Sequence, residues 1–189
     1  GFARSMDGGA TWIDQGAVGA TSMGDPSMVW RAADARFYLA TLESGGALSI
    51  WRSDDCQSFT KIAIPSTGSD DKEILAVDNN PTSPRYGNLY LVWTDFGVTG
   101  TPIRYSRSTD AGITWSAPIN LGTGIVQGAW PAVAPNGDIY VAWLSYASFP
   151  NGNITVRVSR STNGTSFSAV TAPLSNAVSP RDSAASTTC

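Results

Sequence analysis

Three short stretches of the chain are apolar without interruption: Phe37-Tyr38-Leu39-Ala40-Thr41, Leu89-Tyr90-Leu91-Val92-Trp93 and Ile139-Tyr140-Val141-Ala142-Trp143. Runs of this length, rich in β-branched and aromatic residues, predict strands covered on both faces. Upstream of each lies a second apolar segment, Ser27-Met28-Val29-Trp30, Ile74-Leu75-Ala76-Val77 and Ala132-Val133-Ala134, each a candidate innermost strand. Downstream the pattern changes to alternation: Leu48, Ile50 and Arg52; Ile103, Tyr105 and Arg107; Ile154, Val156, Val158 and Arg160. That period of two is a strand with one buried face. The links differ in length, since residues 79–88 form a long Pro- and Gly-bearing loop where Pro135-Asn136-Gly137-Asp138 is a tight turn.

Each alternating strand runs into a related turn. The four are Arg4-Ser5-Met6-Asp7-Gly8-Gly9-Ala10-Thr11-Trp12, Arg52-Ser53-Asp54-Asp55-Cys56-Gln57-Ser58-Phe59, Arg107-Ser108-Thr109-Asp110-Ala111-Gly112-Ile113-Thr114-Trp115 and Arg160-Ser161-Thr162-Asn163-Gly164-Thr165-Ser166-Phe167. Their serines are 48, 55 and 53 residues apart, about the length of one four-stranded blade of a β-propeller. In such a turn the acid two residues after Ser accepts from otherwise unpaired backbone N–H groups, Gly9 and Gly112 supply positive φ, and the closing aromatic tucks beneath the hairpin. The arginine is in phase with the buried face, its stem on apolar surface and its head paired or wet.

The fold class expected is therefore all-β, a propeller of four-stranded antiparallel blades. The expected boundaries are a partial blade at 1–17, blades at about 24–64, 72–121 and 128–174, and a polar tail or the start of a next blade at 175–189. An arc of this kind exposes blade faces and edges, so remaining blades or other chains are expected partners.

Composition narrows the function. Only 14% of residues are charged, the net charge is −3 and two of twelve basic residues are lysine, which argues against nucleic acid and anionic membranes. No apolar run is long enough to span a bilayer as a helix. Histidine is absent, which removes His-based catalysis and His-based zinc sites. Cys56 and Cys189 give no metal signature and leave the disulfide question open. Abundant Ser, Thr, Asn and Gly, with candidate sequons at Asn153 and Asn163, lean toward a secreted, extracellular or cell-surface protein.

Ser5 to Trp12 and Ser108 to Trp115 both fit Ser-x-Asp-x-Gly-x-Thr-Trp, and the chain thereby resembles the Asp-box, or BNR-repeat, sialidase-like propellers. The copies at Ser53 and Ser161 are one residue shorter and lack the Thr-Trp ending, so looser turns are expected there. The resemblance implies part of a six-bladed ring, with Ser5, Asp7, Gly9, Thr11, Trp12, Ser53, Asp55, Phe59, Ser108, Asp110, Gly112, Thr114, Trp115, Ser161, Asn163 and Phe167 in structural roles at the blade periphery, far from any active site. Sialidases of this kind hold a carboxylate sugar with three arginines and use a Tyr-Glu pair with an Asp acid. The Phe/Tyr-Arg-Ile-Pro signature of those enzymes is missing here, and no arginine opens an inner strand.

Aligning Val29, Val77 and Val133 places Asp25, Glu73 and Ala129 at equivalent inner-strand starts. A pocket wall of Asp25, Asp70, Asp71, Lys72, Glu73, Gln127 and Trp130 follows, suited to sugar hydroxyls and stacking, or to a calcium ion; no other cofactor is expected. Solvated acids beside a packed tryptophan are the competing explanation, and Asp70 to Glu73 could equally be a charged turn. Asp78 and Asp95 flank the second blade's inner strands, where capping is the simple role for them. Trp30, Trp51, Trp93 and Trp143 are expected in the core. Three functions fit: a glycan-binding segment that does not hydrolyse, a sialidase or related glycoside hydrolase whose catalytic residues lie outside this segment, and a structural protein of a surface layer or filament.

Overall fold

The structure is a computed structural model that describes residues 1–66, 68–149 and 152–170 and the backbone of 177–178. Strands β1 (Phe2–Arg4) and β2 (Ile13–Gly16) form an isolated hairpin. Three antiparallel sheets follow, each in sequence order. The first holds β3 (Ser22–Arg31), β4 (Arg36–Glu43), β5 (Leu48–Ser53) and β6 (Thr60–Ser66). The second holds β7 (Asp70–Val77), β8 (Leu89–Asp95), β9 (Ile103–Ser108) and β10 (Ile119–Gly122). The third holds β11 (Val126–Val133), β12 (Ile139–Tyr146), β13 (Asn153–Ser161) and β14 (Ser168–Val170), with β15 (Ala177–Val178) added against the start of β13. Among the described residues there is no helix long and apolar enough to cross a membrane. The other residues from 171 onward, Cys189 included, lie outside the described residues.

Strands β3, β7 and β11 lie side by side, so each sheet meets the next along its inner edge. The apolar runs fill these contacts. Tyr38, Ala40, Leu48 and Ile50 of the first sheet pack against Leu75, Leu89, Leu91 and Trp93 of the second. Tyr90, Val92, Ile103 and Tyr105 then pack against Val126, Ile139, Val141 and Trp143 of the third. Every β8 residue is buried, as a strand sandwiched between two neighbouring sheets must be.

The two full turns match bond for bond. Ser5 and Ser108 donate to Asp7 and Asp110 at 2.8 Å and accept from Gly9 N and Gly112 N at 2.7 and 2.8 Å. Thr11 and Thr114 give both backbone N–H (2.9 Å) and hydroxyl (2.6 Å) to those acids. The Thr11 hydroxyl and amide hold the Asp7 carboxyl down at about 2. In Asp110 burial pushes the other way, yet the bonds from Thr114 and Ser108 still win and lower it. The shorter copies keep a reduced set. Cys56 N and Gly164 N bond the serine oxygens at 2.9 and 2.8 Å, and Asp55 and Asn163 each accept from two following amides. They reverse with one left-handed residue, Cys56 or Gly164, where the long turns use the pairs Gly8-Gly9 and Ala111-Gly112.

The last three turns each press on the strands before them. A methyl at Gly112 would stand 3.1 Å from Ile62 Cδ1 and 3.4 Å from Tyr38, and Tyr105 donates to Gly164 O at 3.1 Å. Phe167 stacks edge-on against Tyr105, and Phe59 against Phe2. Trp12 departs from the expected tuck, since it is 65% exposed while Trp115 packs into the core. The reason is topological: the β1–β2 hairpin has no sheet beneath it among the described residues. The box arginine heads differ as well, Arg160 pairing with Asp138 at 2.5 Å over the Tyr140 ring. Trp51, Trp93 and Trp143 are buried, but Trp30 is 43% exposed on the free face of the first sheet, leaning on Phe37.

Candidate functional site at the inner-strand ends

The register of the inner strands corrects the alignment drawn from sequence. Ser27 faces Ala40, Ile74 faces Val92 and Trp130 faces Ala142, so Ser27, Ile74 and Trp130 are equivalent. Just before them each strand bulges. Two residues oppose one: Asp25 and Pro26 across from Thr41, Lys72 and Glu73 across from Trp93, Gly128 and Ala129 across from Trp143. The first residue of each pair is left-handed, with φ of 48° at Asp25, 57° at Lys72 and 70° at Gly128. Asp25 thus corresponds to Lys72 and Gly128, while Glu73 corresponds to Pro26 and Ala129. Only Gly128 announces this conformation by residue type; Asp tolerates it and Lys does not favour it, so two side chains carry strain at one rim.

The bulges bring charged groups together across the blades. Lys72 Nζ meets Asp25 Oδ2 at 2.9 Å, both partly exposed. Lys72 holds the Asp25 carboxyl below its ordinary range and is itself raised in return. Gln127 donates from Nε2 to Asp71 Oδ2 at 2.7 Å and accepts from the buried Thr94 hydroxyl. Ser27 Oγ accepts from Leu75 N at 2.9 Å. A polar line therefore runs from β3 through β7 to β11 at one end of the arc. Asp70 to Glu73 is strand and bulge instead of a charged turn.

Glu73 is the exception within this line. It is fully enclosed without a side-chain partner, and burial, aided by Asp25 and Asp71, pushes it up to about 8 against the lowering pull of the Glu73 and Leu42 backbone amides. It stays protonated at neutral pH while Asp25 stays ionised. Asp70, 5% exposed, faces Asp95 directly across the ladder; burial raises its carboxyl and Asp95 adds to the effect. Asp95 accepts from Gly97 N at 2.9 Å and Arg104 Nε at 3.0 Å. Asp78 is different: it accepts from Ser83 and Asn80 N and organises the 79–88 loop at the opposite strand ends. Among the described residues no group of three His, Cys, Asp or Glu side chains converges where a metal ion could be held; Asp25, Asp71 and Asp95 are paired off to Lys72, Gln127 and Arg104.

One sequence-based assignment changes. Trp130 is 64% exposed, but its equivalent Ile74 packs between sheets two and three. Trp130 therefore occupies the outer face of the third sheet, where a further blade would lie, and not the rim. The box acids are at the far ends of the strands, since Leu89 pairs Ser108 where Thr94 pairs Ile103. The sequence reading also passed over loop aromatics beside Gln127. A cavity of about 200 Å³ between the second and third blades is lined by Phe96, Thr101, Gly124, Ile125, Val126, Gln127, Tyr146 and Phe149. Its signal in the sequence was a single aromatic in each of two short loops, Asp95-Phe96-Gly97 and Ser148-Phe149, which strand periodicity does not weigh.

Comparison with solved structures places this architecture. The fold is a β-propeller. An α-L-arabinofuranosidase of Fusarium graminearum matches with a TM-score of 0.59 at 12% identity, over 79% of this chain and 48% of that one. A Dyadobacter fermentans protein of unknown function matches with 0.62 at 16% identity, over 89% and 50%. A microbial sialidase, Hz136, matches with 0.57 at 14% identity, over 84% and 39%. The chain spans about half the length of these structures or less. No protein-family model matches it, and no curated protein does either.

Proposed function

We propose that this chain is a segment of a secreted Asp-box propeller of six blades that binds carbohydrate at the bulged ends of its inner strands. One observation carries the reading: three successive bulges present a continuous polar line, Asp25–Lys72 and Asp71–Gln127–Thr94, of which the outer members are open to solvent. Paired donors and acceptors on a rigid rim suit sugar hydroxyls. Propellers of this shape among solved structures act on glycans, as an arabinofuranosidase and a sialidase, and that supports the ligand class. Binding without hydrolysis is favoured because Glu73, a carboxyl held protonated at neutral pH beside this line, is enclosed. The test is a glycan array probed with the chain, then with Asp71→Asn and Gln127→Ala; array binding that both variants retain would remove the rim from the account.

A second reading rests on the opposite protonation of neighbouring carboxyls. Environments that set one acid neutral and another ionised mark an acid/base pair, as in glycoside hydrolysis. In this reading the bulge opens on substrate binding to expose Glu73, which protonates the leaving glycosidic oxygen while Asp25 acts as base or nucleophile. Release of an aryl aglycone, abolished in Glu73→Gln, is the outcome this reading requires.

A further inference from the structure

The exposed apolar residues fall into two groups. Met23, Met28, Trp30 and Trp130 stand on the outer faces of the first and third sheets, which further blades would cover. Phe96, Ile125 and Phe149 are 52%, 47% and 57% exposed, yet they sit on loops between two complete blades. Closing a ring adds sheets at the ends of the arc and leaves this cavity open. Its walls are pinned by main-chain bonds: Phe96 N to Ser69 O at 2.7 Å, Gly124 N to Gly100 O at 2.7 Å and Tyr146 N to Ile125 O at 2.8 Å. Tyr146 and Phe149 meet edge to face with centroids 5.4 Å apart.

Among the described residues, the one side-chain amide in this lining belongs to Gln127. Thr94 and Asp71 fix its orientation and use one acceptor site and one N–H, which leaves a second N–H and a second lone pair for a ligand. Aromatic walls above an oriented carboxamide match a ring with an apolar CH face and a hydroxyl edge. At about 200 Å³ the cavity is smaller than the roughly 300–1,000 Å³ that enclose a drug-sized ligand, and it takes one ring. We propose that this inter-blade cavity is a carbohydrate subsite: a single sugar ring lies with its CH face on Phe96 and Phe149 and a hydroxyl on the Gln127 amide, extending a glycan held at the rim. The inference rests on the carbohydrate-binding reading above.

The test titrates the chain with the hexasaccharides of xylose, arabinose, galactose and glucose and with sialyllactose, by calorimetry and by saturation-transfer NMR from the aromatic protons. At least one probe binds, and Phe96→Ala and Phe149→Ala each weaken it about tenfold and remove saturation transfer to ring CH protons. Both residues are half-exposed, so an unchanged melting temperature separates lost contact from lost fold. Binding by the parent that both variants keep overturns the subsite and leaves the rim. Weakening in the Phe variants with full binding in Lys72→Met, which touches the rim pair Asp25–Lys72 alone, supports the subsite and sinks the rim reading. If no probe binds the parent, both fall.

Discussion

Replacing Glu73 with Gln should make the protein less sensitive to rising pH. In the folded chain Glu73 is fully enclosed, without a side-chain partner, and held up to about 8 by burial against an ordinary 4.5. The unfolded chain loses this proton above about pH 4.5, whereas the folded chain keeps it until about pH 8. Each pH unit in that window therefore costs the parent ~1.4 kcal/mol of stability. Over the ~3.5 units the total is about 5 kcal/mol, and roughly 3 to 5 kcal/mol if the site relaxes on ionisation. The stability is fully present below pH 4.5 and gone above pH 8. Gln has nearly the same shape and no proton to lose, so this component of the pH dependence disappears. Urea denaturation at pH 4, 6 and 8 measures it. The gap in unfolding free energy between Glu73→Gln and parent should widen in favour of the variant by about 3 kcal/mol or more from pH 4 to pH 8. Any pH-independent cost of burying the amide shifts both ends equally, so a gap that does not widen refutes the enclosed, unpartnered carboxyl.

Other outcomes follow from the same geometry. Gly112→Ala should cost about 2–3 kcal/mol, because φ is +80° and the methyl meets Ile62 at 3.1 Å; Gly8→Ala, at a similar φ with nothing within 4 Å, should cost about 1 kcal/mol. Thermal melts showing equal losses would contradict the docking of the last three turns on the strands before them. Lys72→Met should change stability by less than ~1 kcal/mol, since its ion pair with Asp25 is half-exposed, yet weaken glycan binding in a titration; a stability loss with intact binding would reverse that assignment. Trp130→Lys should lower concentration-dependent association in sedimentation, because a 64% exposed tryptophan on an open sheet face is an adhesive surface. A parent that is monomeric at every concentration removes this expectation and the filament reading with it.

The blades were legible because their signals are local and repeated. Continuous apolar runs gave β4, β8 and β12, alternation gave β5, β9 and β13, and the Arg-Ser turns set the period. The rim was legible only in composition. Asp25, Asp71, Lys72, Glu73 and Gln127 do converge at one end of the arc, but their register depended on bulges whose left-handed residues are Asp25 and Lys72, and neither signals positive φ. The aligned valines therefore slipped by one in the first blade, and it is Trp30 that matches Val77 and Val133. Trp130 misled for a different reason: exposure and aromatic character look alike at a sugar platform and at an uncovered blade face. Sequence periodicity had no means of seeing that Phe96, after β8, and Tyr146 and Phe149, at and just after the end of β12 about 50 residues later, line one cavity.

The central claim is that β3, β7 and β11 are equivalent inner strands, each bulged at the same point and linked across blades. An experimental structure of the chain, by crystallography or from long-range NOEs, tests it most directly. The account requires the Leu75 amide on Ser27 Oγ, Gln127 on Asp71, and left-handed backbone at Asp25, Lys72 and Gly128. Inner strands running without bulges, or β7 and β11 separated by another element, would contradict it.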